Sequence, residues 1–241
     1  MSRLLPGAGL PRAFSLESLA ASTGREVALP VDSVHHLRVR RVREGARVGL
    51  TDGAGSVAEG VLVRVGRSDA TVLVEAVAAV NRPPEVHLLA PVSDRDRMLW
   101  LAEKVAELAV TSWTSVVWHR SRSVSPRGEG AGFREKLRAR MTGALLQSGG
   151  AWLPEIRDDL PLPAALESAS GERVLLDPAG PRLVERIPAP PVTLALGPAG
   201  GWELEEHRAA LAAGWQPASL GSTVLRFETA GVVAVGIIAG R

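Results

Sequence analysis

The sequence predicts an α/β protein in which a small β-rich domain precedes a mainly parallel sheet with helical crossovers. Three observations lead there. Residues 26 to 80 read as short apolar runs of β type separated by Gly, Asp and Ser, Asn81-Arg82-Pro83-Pro84 then interrupts, and beyond it strands alternate with amphipathic helices. Two consecutive prolines carry neither a helix nor a ladder, which divides the chain into domains 1–80 and 81–241.

In the first domain EVALPV, ARVGLTDG, GSVAEGVLVRV and TVLVEAVAAV are the strands of a small barrel or sandwich. Asp52-Gly53 supplies the positive φ angles of a tight turn. In the second domain VHLLAPV is a buried strand, after which Ser93 or Asp94 caps a helix with Met98, Leu101, Val105 and Leu108 on one face. Strands follow at 115–118, 173–177 and 192–197, with helices from Phe133 to about Gln147 and from Glu203 to Ala213, the latter closed by Gly214. The apolar run Ala230 to Ala239 is a buried element, far short of the roughly 20 residues that span a bilayer. Ligands of such sheets sit at the carboxyl ends of the strands.

A chain of 241 residues with 46% hydrophobic content supports a core in each domain. Cysteine is absent, which excludes disulfide scaffolds, thiolate metal sites and cysteine nucleophiles. The five histidines offer no pair at i, i+4, so no metal site is expected. Formal charge is only +2, yet Lys104 and Lys136 are the only lysines among 28 basic residues, so local arginine clusters matter more than net charge. The N-terminal residues lack the apolar core of a signal peptide, and a soluble, cytoplasmic protein without a membrane partner is expected.

Three constellations stand out. Leu196-Gly197-Pro198-Ala199-Gly200-Gly201-Trp202 is a strand end, a glycine turn and a helix start; Glu203, Glu205 and Glu206 in the next turn disfavour a phosphate, so the motif is either a plain turn or a loop for a neutral or cationic ligand. Ser219-Leu220-Gly221-Ser222-Thr223-Val224-Leu225-Arg226-Phe227-Glu228 sets an arginine among apolar neighbours, either paired with Glu228 or aimed at an oxyanion. His35, Arg38, Arg40, Arg41 and Arg43 form a basic run in the β-rich domain; Arg120, Arg122, Arg127, Arg134, Lys136, Arg138 and Arg140 form another in the second, and together they predict a polyanion contact.

These segments, in this order, resemble the RsmE-type methyltransferases of small-subunit ribosomal RNA, a branch of the SPOUT class. The likeness spans essentially the whole chain. His35, Val39, Arg41 and Gly45, then Asp52-Gly53, fit the pattern of the family's PUA-like domain. Lys104, Glu107 and Leu108, then Trp118-His119-Arg120-Ser121, Gln147-Ser148-Gly149 and Leu153-Pro154-Glu155-Ile156, follow its central stretches. LALGPAGG, SLG and VLRFETA match its C-terminal signature, the most specific part. The chain departs from the pattern at Ala199, where the family carries glutamate, and at Leu146, Gly150 and His119.

The resemblance implies a trefoil-knotted α/β domain behind a PUA-like β-barrel, and a homodimer. It implies S-adenosylmethionine as cofactor, held by Leu175, Leu176, Leu196, Gly197, Pro198, Gly200, Gly201, Ser219, Leu220, Gly221, Val224 and Leu225. It implies methyl transfer to N3 of a uridine in ribosomal RNA of the small subunit. Arg226, with Arg120 of a partner subunit, would stabilise the charge on the base, and Glu228 would orient Arg226 or take the proton. RNA would be held by His35, Arg38, Arg40, Arg41, Arg43 and Arg122. The departures leave an alternative, a degenerate relative that binds RNA or assists ribosome assembly without methylating.

Overall fold

The computed structural model describes residues 5–123 and 126–240, without the side chains at 122 and 123. The chain forms two units. The first runs to Arg82 and takes in Thr142–Leu153; the second holds Pro83–Met141 and the chain from Pro154 onward.

The first unit is built on β1 (Arg12–Phe14), β2 (Glu26–Ala28), α1 (Val31–Val39), β3 (Arg47–Thr51), β4 (Ser56–Val65) and β5 (Ala70–Ala79). Its strands join in the order β1-β3-β4-β5-β2. β3, β4 and β5 are an antiparallel meander, to which β1 adds in parallel and β2 antiparallel. The four strands expected from the sequence are β2 to β5. β2 ends at Ala28 because Pro30, with φ at −66°, opens α1 instead of extending the strand. α1 itself was not anticipated, since only Ser33, Val34 and Leu37 of its nine residues turn inward and its charged face masks the period. Ser33 Oγ accepts from the Phe14 amide at 3.0 Å and donates to the Phe14 carbonyl at 2.9 Å, which pins α1 to β1. Leu37, Val48, Leu50, Leu62 and Val72 fill the core.

Asp52 organises the β3–β4 turn: one carboxylate oxygen accepts from the Ala54 and Ser56 amides at 2.9 and 3.0 Å, the other from the Leu19 amide at 3.1 Å. The segment Thr142–Leu153 meets the same turn. Gly55 N donates to the Ala151 carbonyl and Leu153 N to the Gly53 carbonyl, both at 2.8 Å. Gly55, at φ 101°, leaves room that a side chain would take from the Trp152 indole.

The second unit comprises β6 (Val86–Pro91), α2 (Arg95–Glu107), β7 (Ser112–Val117), α3 (Ala131–Ser148), β8 (Glu155–Ile156), β9 (Leu160–Pro161), α4 (Leu162–Glu167), β10 (Glu172–Leu176), β11 (Val192–Ala195), α5 (Leu204–Ala212), β12 (Gln216–Ala218) and α6 (Phe227–Ala239). Helix α3 passes from this unit into the first at Thr142. The strand order is β12-β10-β11-β6-β7, with β8 and β9 both on β7, and every pairing is parallel. The expected alternation of strand and helix is therefore present. Asp94 is the N-cap of α2 and accepts from the Arg97 amide at 3.0 Å, while Gly214 at φ 83° follows α5.

β7 starts earlier than its apolar residues indicate, because its polar side chains are satisfied inside the sheet. Trp113 Nε1 donates to Ser115 Oγ at 3.0 Å, and Ser112 Oγ lies 2.7 Å from His87 Nδ1. The C-terminal apolar run is helical and packs on α2 and β6. Gly231 lets α6 lie close: a Cβ there would stand 2.8 Å from Leu101 Cδ1 and 3.0 Å from Leu196 Cδ1.

Two predictions follow from this packing. Gly171 precedes β10 at φ 68°, where a Cβ would run into the Pro191 carbonyl; Gly171→Ala should lower stability by about 3 kcal/mol in chemical denaturation. Burial, reinforced by Arg157 and opposed by Glu85, holds the His87 imidazole below its ordinary 6.5. As pH falls through that value the unfolded chain takes the proton first, so His87 contributes full stability above it and progressively less below. His87→Asn should flatten the loss of stability between about pH 7.5 and 5.5, leaving only the part due to His36, which burial also lowers.

Candidate active site

β10, β11 and β12 run in parallel, so the loops that leave their carboxyl ends gather on one edge of the sheet. These loops, 177–183, 196–203 and 219–226, enclose a cavity of about 250 Å³. Direct hydrogen bonds tie them together. Trp202 Nε1 donates to the Leu176 carbonyl at 3.2 Å; Ser219 N donates to the Pro181 carbonyl, and Leu183 N to the Ser219 carbonyl, both at 2.8 Å. Asp177 accepts from the Ala179 amide at 2.8 Å and stands 2.6 Å from His207 Nε2. Trp202 meets Trp118 edge-on, with ring centroids 4.3 Å apart. Gly197 leaves the space that Trp202 fills, since a Cβ there would lie 2.7 Å from its Nε1.

Most of the residues expected to hold a cofactor line this cavity. Leu176 comes from the end of β10, ahead of the first loop; Leu196, Gly197, Pro198 and Gly201 from the second; Ser219, Leu220, Gly221, Val224 and Leu225 from the third. Leu175 does not: it points into the core and is fully buried. Gly200 faces away, and its carbonyl accepts from the Arg120 guanidinium. Arg97 and Asp177 also line the cavity and escaped the sequence reading, and Trp202, which closes the glycine motif, lines it too without having been assigned a role. Arg97 lies beside the apolar face of α2, one more arginine in an arginine-rich chain, and only the fold brings it to the third loop.

The acidic start of α5 has a structural use. Glu203 and Glu206 form a capping box, Glu203 pairs with Arg120 at 2.6 Å, and Glu206 accepts from the His119 amide at 2.9 Å. Arg120 is thus engaged within its own chain. Arg226 is the N-cap of α6 and is exposed at the cavity mouth beside Arg97. Among the described residues neither of these two arginines has an ion-pair partner. The Arg226–Glu228 pair weighed from spacing is not formed: Arg226 is extended, with φ −63° and ψ 149°, whereas Glu228 already belongs to the helix and is only 8% exposed. Glu228 Oε2 is buried without a hydrogen-bond partner.

In the first unit His35, Arg38, Arg40, Arg41 and Arg43 are all exposed on and just after α1. Val34 and Leu37 anchor that helix from the opposite side. Arg38 donates to the Arg67 carbonyl at 3.0 Å, and Arg41 takes a left-handed φ of 57° that ends the helix. The Arg122 side chain lies outside the described residues. The second basic stretch is less free than its composition indicates. Arg134 pairs with Asp158 and Asp159 and Arg140 with Glu103, acids remote in sequence, and Arg127 pairs with its near neighbour Glu129, so much of the stretch is neutralised.

Comparison with known proteins identifies this architecture. Residues 81–239 match the family model of an RNA methyltransferase domain, and residues 29–75 that of an RNA methyltransferase PUA domain. Ribosomal RNA small subunit methyltransferase E of Mycobacterium bovis is 32% identical over 86% of this chain and 83% of its own length. The enzyme of that name from Neisseria gonorrhoeae, solved bound to S-adenosyl methionine, superposes with a TM-score of 0.84 at 28% identity, covering 94% of this chain and 95% of the other. A Legionella pneumophila structure in complex with the bound cofactor SAM superposes at 0.86 with 26% identity, covering 96% and 97%. Both domains are matched and the relatives align over most of their length, so the chain belongs to the ribosomal RNA small subunit methyltransferase E family.

Proposed function

We propose that this chain methylates N3 of a uridine in 16S ribosomal RNA of the small subunit, using S-adenosylmethionine. The observation that carries the reading is the cavity at the carboxyl ends of β10, β11 and β12, in a chain whose Neisseria gonorrhoeae and Legionella pneumophila relatives were solved with that cofactor bound. The lining fits it. Leu176, Leu196, Leu220, Val224 and Leu225 are apolar, as an adenine ring requires, and the backbone of the glycine-containing loops approaches closely. Asp177 places a carboxylate at the wall, and the acids of α5 keep phosphate groups unfavourable, which suits a sulfonium compound.

When bound, S-adenosylmethionine supplies a methyl carbon on a positively charged sulfur that departs as a neutral thioether. The protein's own contribution is position and charge. The loops hold the cofactor, and Arg226 stands at the mouth, where a base presented to the cavity would bring its carbonyl oxygens. Uracil N3 must lose its proton before its lone pair can take the methyl, and the resulting negative charge is shared with the two flanking oxygens. A guanidinium there stabilises that anion. Glu228, buried two residues on, orients the base or receives the proton. Arg120, which braces the 197–203 loop in this chain, reaches the base only from a partner subunit, and the working enzyme is a cytoplasmic homodimer. The basic surface of α1 holds the RNA, and the C-terminal segment through α6 completes a trefoil knot.

Calorimetry with S-adenosylmethionine, followed by label transfer to unmethylated small subunits, tests the proposal. Binding with transfer supports it; RNA binding without transfer would establish a non-catalytic relative instead. Arg226→Ala should cut turnover roughly a hundredfold or more while cofactor binding persists; loss of binding would give Arg226 a different role. Gly197→Ala, which drives a methyl against Trp202, should weaken cofactor binding about tenfold or more, since about 1.4 kcal/mol of distortion suffices.

A further inference from the structure

Beside the cofactor cavity lies a second, more open one of about 410 Å³ between the N-terminal turns of α2 and α6, lined by Asp96, Arg97, Trp100, Arg226, Glu228 and Thr229. It shares Arg97 and Arg226 with the first, so the two open next to each other. Its floor holds Glu228, whose Oε2 is buried with no hydrogen-bond partner. A desolvated carboxylate oxygen left unpaired is costly in a folded protein, and such an atom calls for a donor from a ligand. Arg97 and Arg226 are exposed donors without ion-pair partners among the described residues. Trp100, 45% exposed and one helical turn from Arg97, shows its indole on the same helix face.

We infer that this second cavity seats the target base and selects uracil over cytosine. The inference rests on the methyltransferase reading above and deepens it. The Watson–Crick edge of uracil is an N–H donor flanked by two carbonyl acceptors. The cavity holds the complement, an unpaired carboxylate acceptor with two guanidinium donors. Cytosine presents an acceptor at N3 and an amino donor at C4; it would set N3 against the carboxylate and its amino group against a guanidinium. Rejection by unpaired buried polar groups is far stronger than rejection by shape alone. Trp100 provides the plane on which a base lifted out of its stack lies. Arg97 is therefore a specificity-determining residue, and Trp100 a stacking surface, for the same reaction.

The test separates this inference from the activity itself. Wild-type protein, Arg97→Gln, Trp100→Ala and Trp100→Phe are assayed on unmethylated small subunits, with S-adenosylmethionine affinity read by calorimetry and assembly by sedimentation. Arg97→Gln and Trp100→Ala should raise KM for the subunit about tenfold, Trp100→Phe should recover most of that loss, and in the Trp100 variants cofactor affinity and assembly should not move. Independently of turnover, small subunits reconstituted on ribosomal RNA transcribed with 4-thiouridine should photocrosslink to the α2 peptide that carries Trp100. Unchanged KM, a fall in cofactor affinity or a shift to monomer in the Trp100 variants, or no adduct on that peptide would each overturn the inference. A wild-type protein that crosslinks there but transfers no methyl would instead refute the activity and leave the base seat standing.

Discussion

Because β10 pairs in parallel with β11 on one side and β12 on the other, three loops separated by some 20 residues each along the chain must end on one edge of the sheet. The rest of the functional architecture depends on that pairing. The loops are not left to find one another by chance. Trp202 reaches the carbonyl at the end of β10, and Ser219 is bonded in both directions to the loop after β10. A cavity held by backbone hydrogen bonds keeps its shape before any ligand arrives, so little ordering cost falls on binding.

Charge is distributed around this cavity with a clear division of labour. The acids of α5 are engaged inward, in the capping box and with residues 119 and 120. Among the described residues Arg97 and Arg226 have no ion-pair partner, and Glu228 Oε2, which lines the neighbouring cavity with them, has no hydrogen-bond partner. Groups engaged internally serve rigidity; groups left unsatisfied mark where another molecule completes the structure. The same reasoning tempers the basic stretch before and within α3, where Asp158, Asp159 and Glu103 absorb much of the charge, while the arginines after α1 stay exposed.

Several departures from the family pattern are explained once the units are known. Leu146 and Gly150 belong to the first unit, whereas the three-loop cavity is built wholly within the second. Ala199 does line that cavity, and its missing carboxylate leaves the backbone of the loop intact. The loop bonds that shape the site use main-chain groups and Trp202, none of which these changes remove.

By itself the sequence determined the alternation of strand and helix, the caps at Asp94 and Gly214, and the glycine loops that became the cavity wall. Apolar periodicity, turn chemistry and short motifs are local signals, and those elements obey local rules. Tertiary structure decided what locality hides. α1 was illegible because its inward face is only three residues wide, and β7 began early because Ser112 pairs with His87 of β6 while Trp113 donates to Ser115 along its own strand. The place of Arg97, the bond from Trp202 to Leu176 and the pairing of Asp177 with His207 could not be read, since each joins groups brought together only by the fold. The Arg226–Glu228 spacing invited an ion pair, and the turn from extended N-cap to helix sent the two side chains to different environments. Spacing along a chain sets what can meet; the path of the backbone in space sets what does.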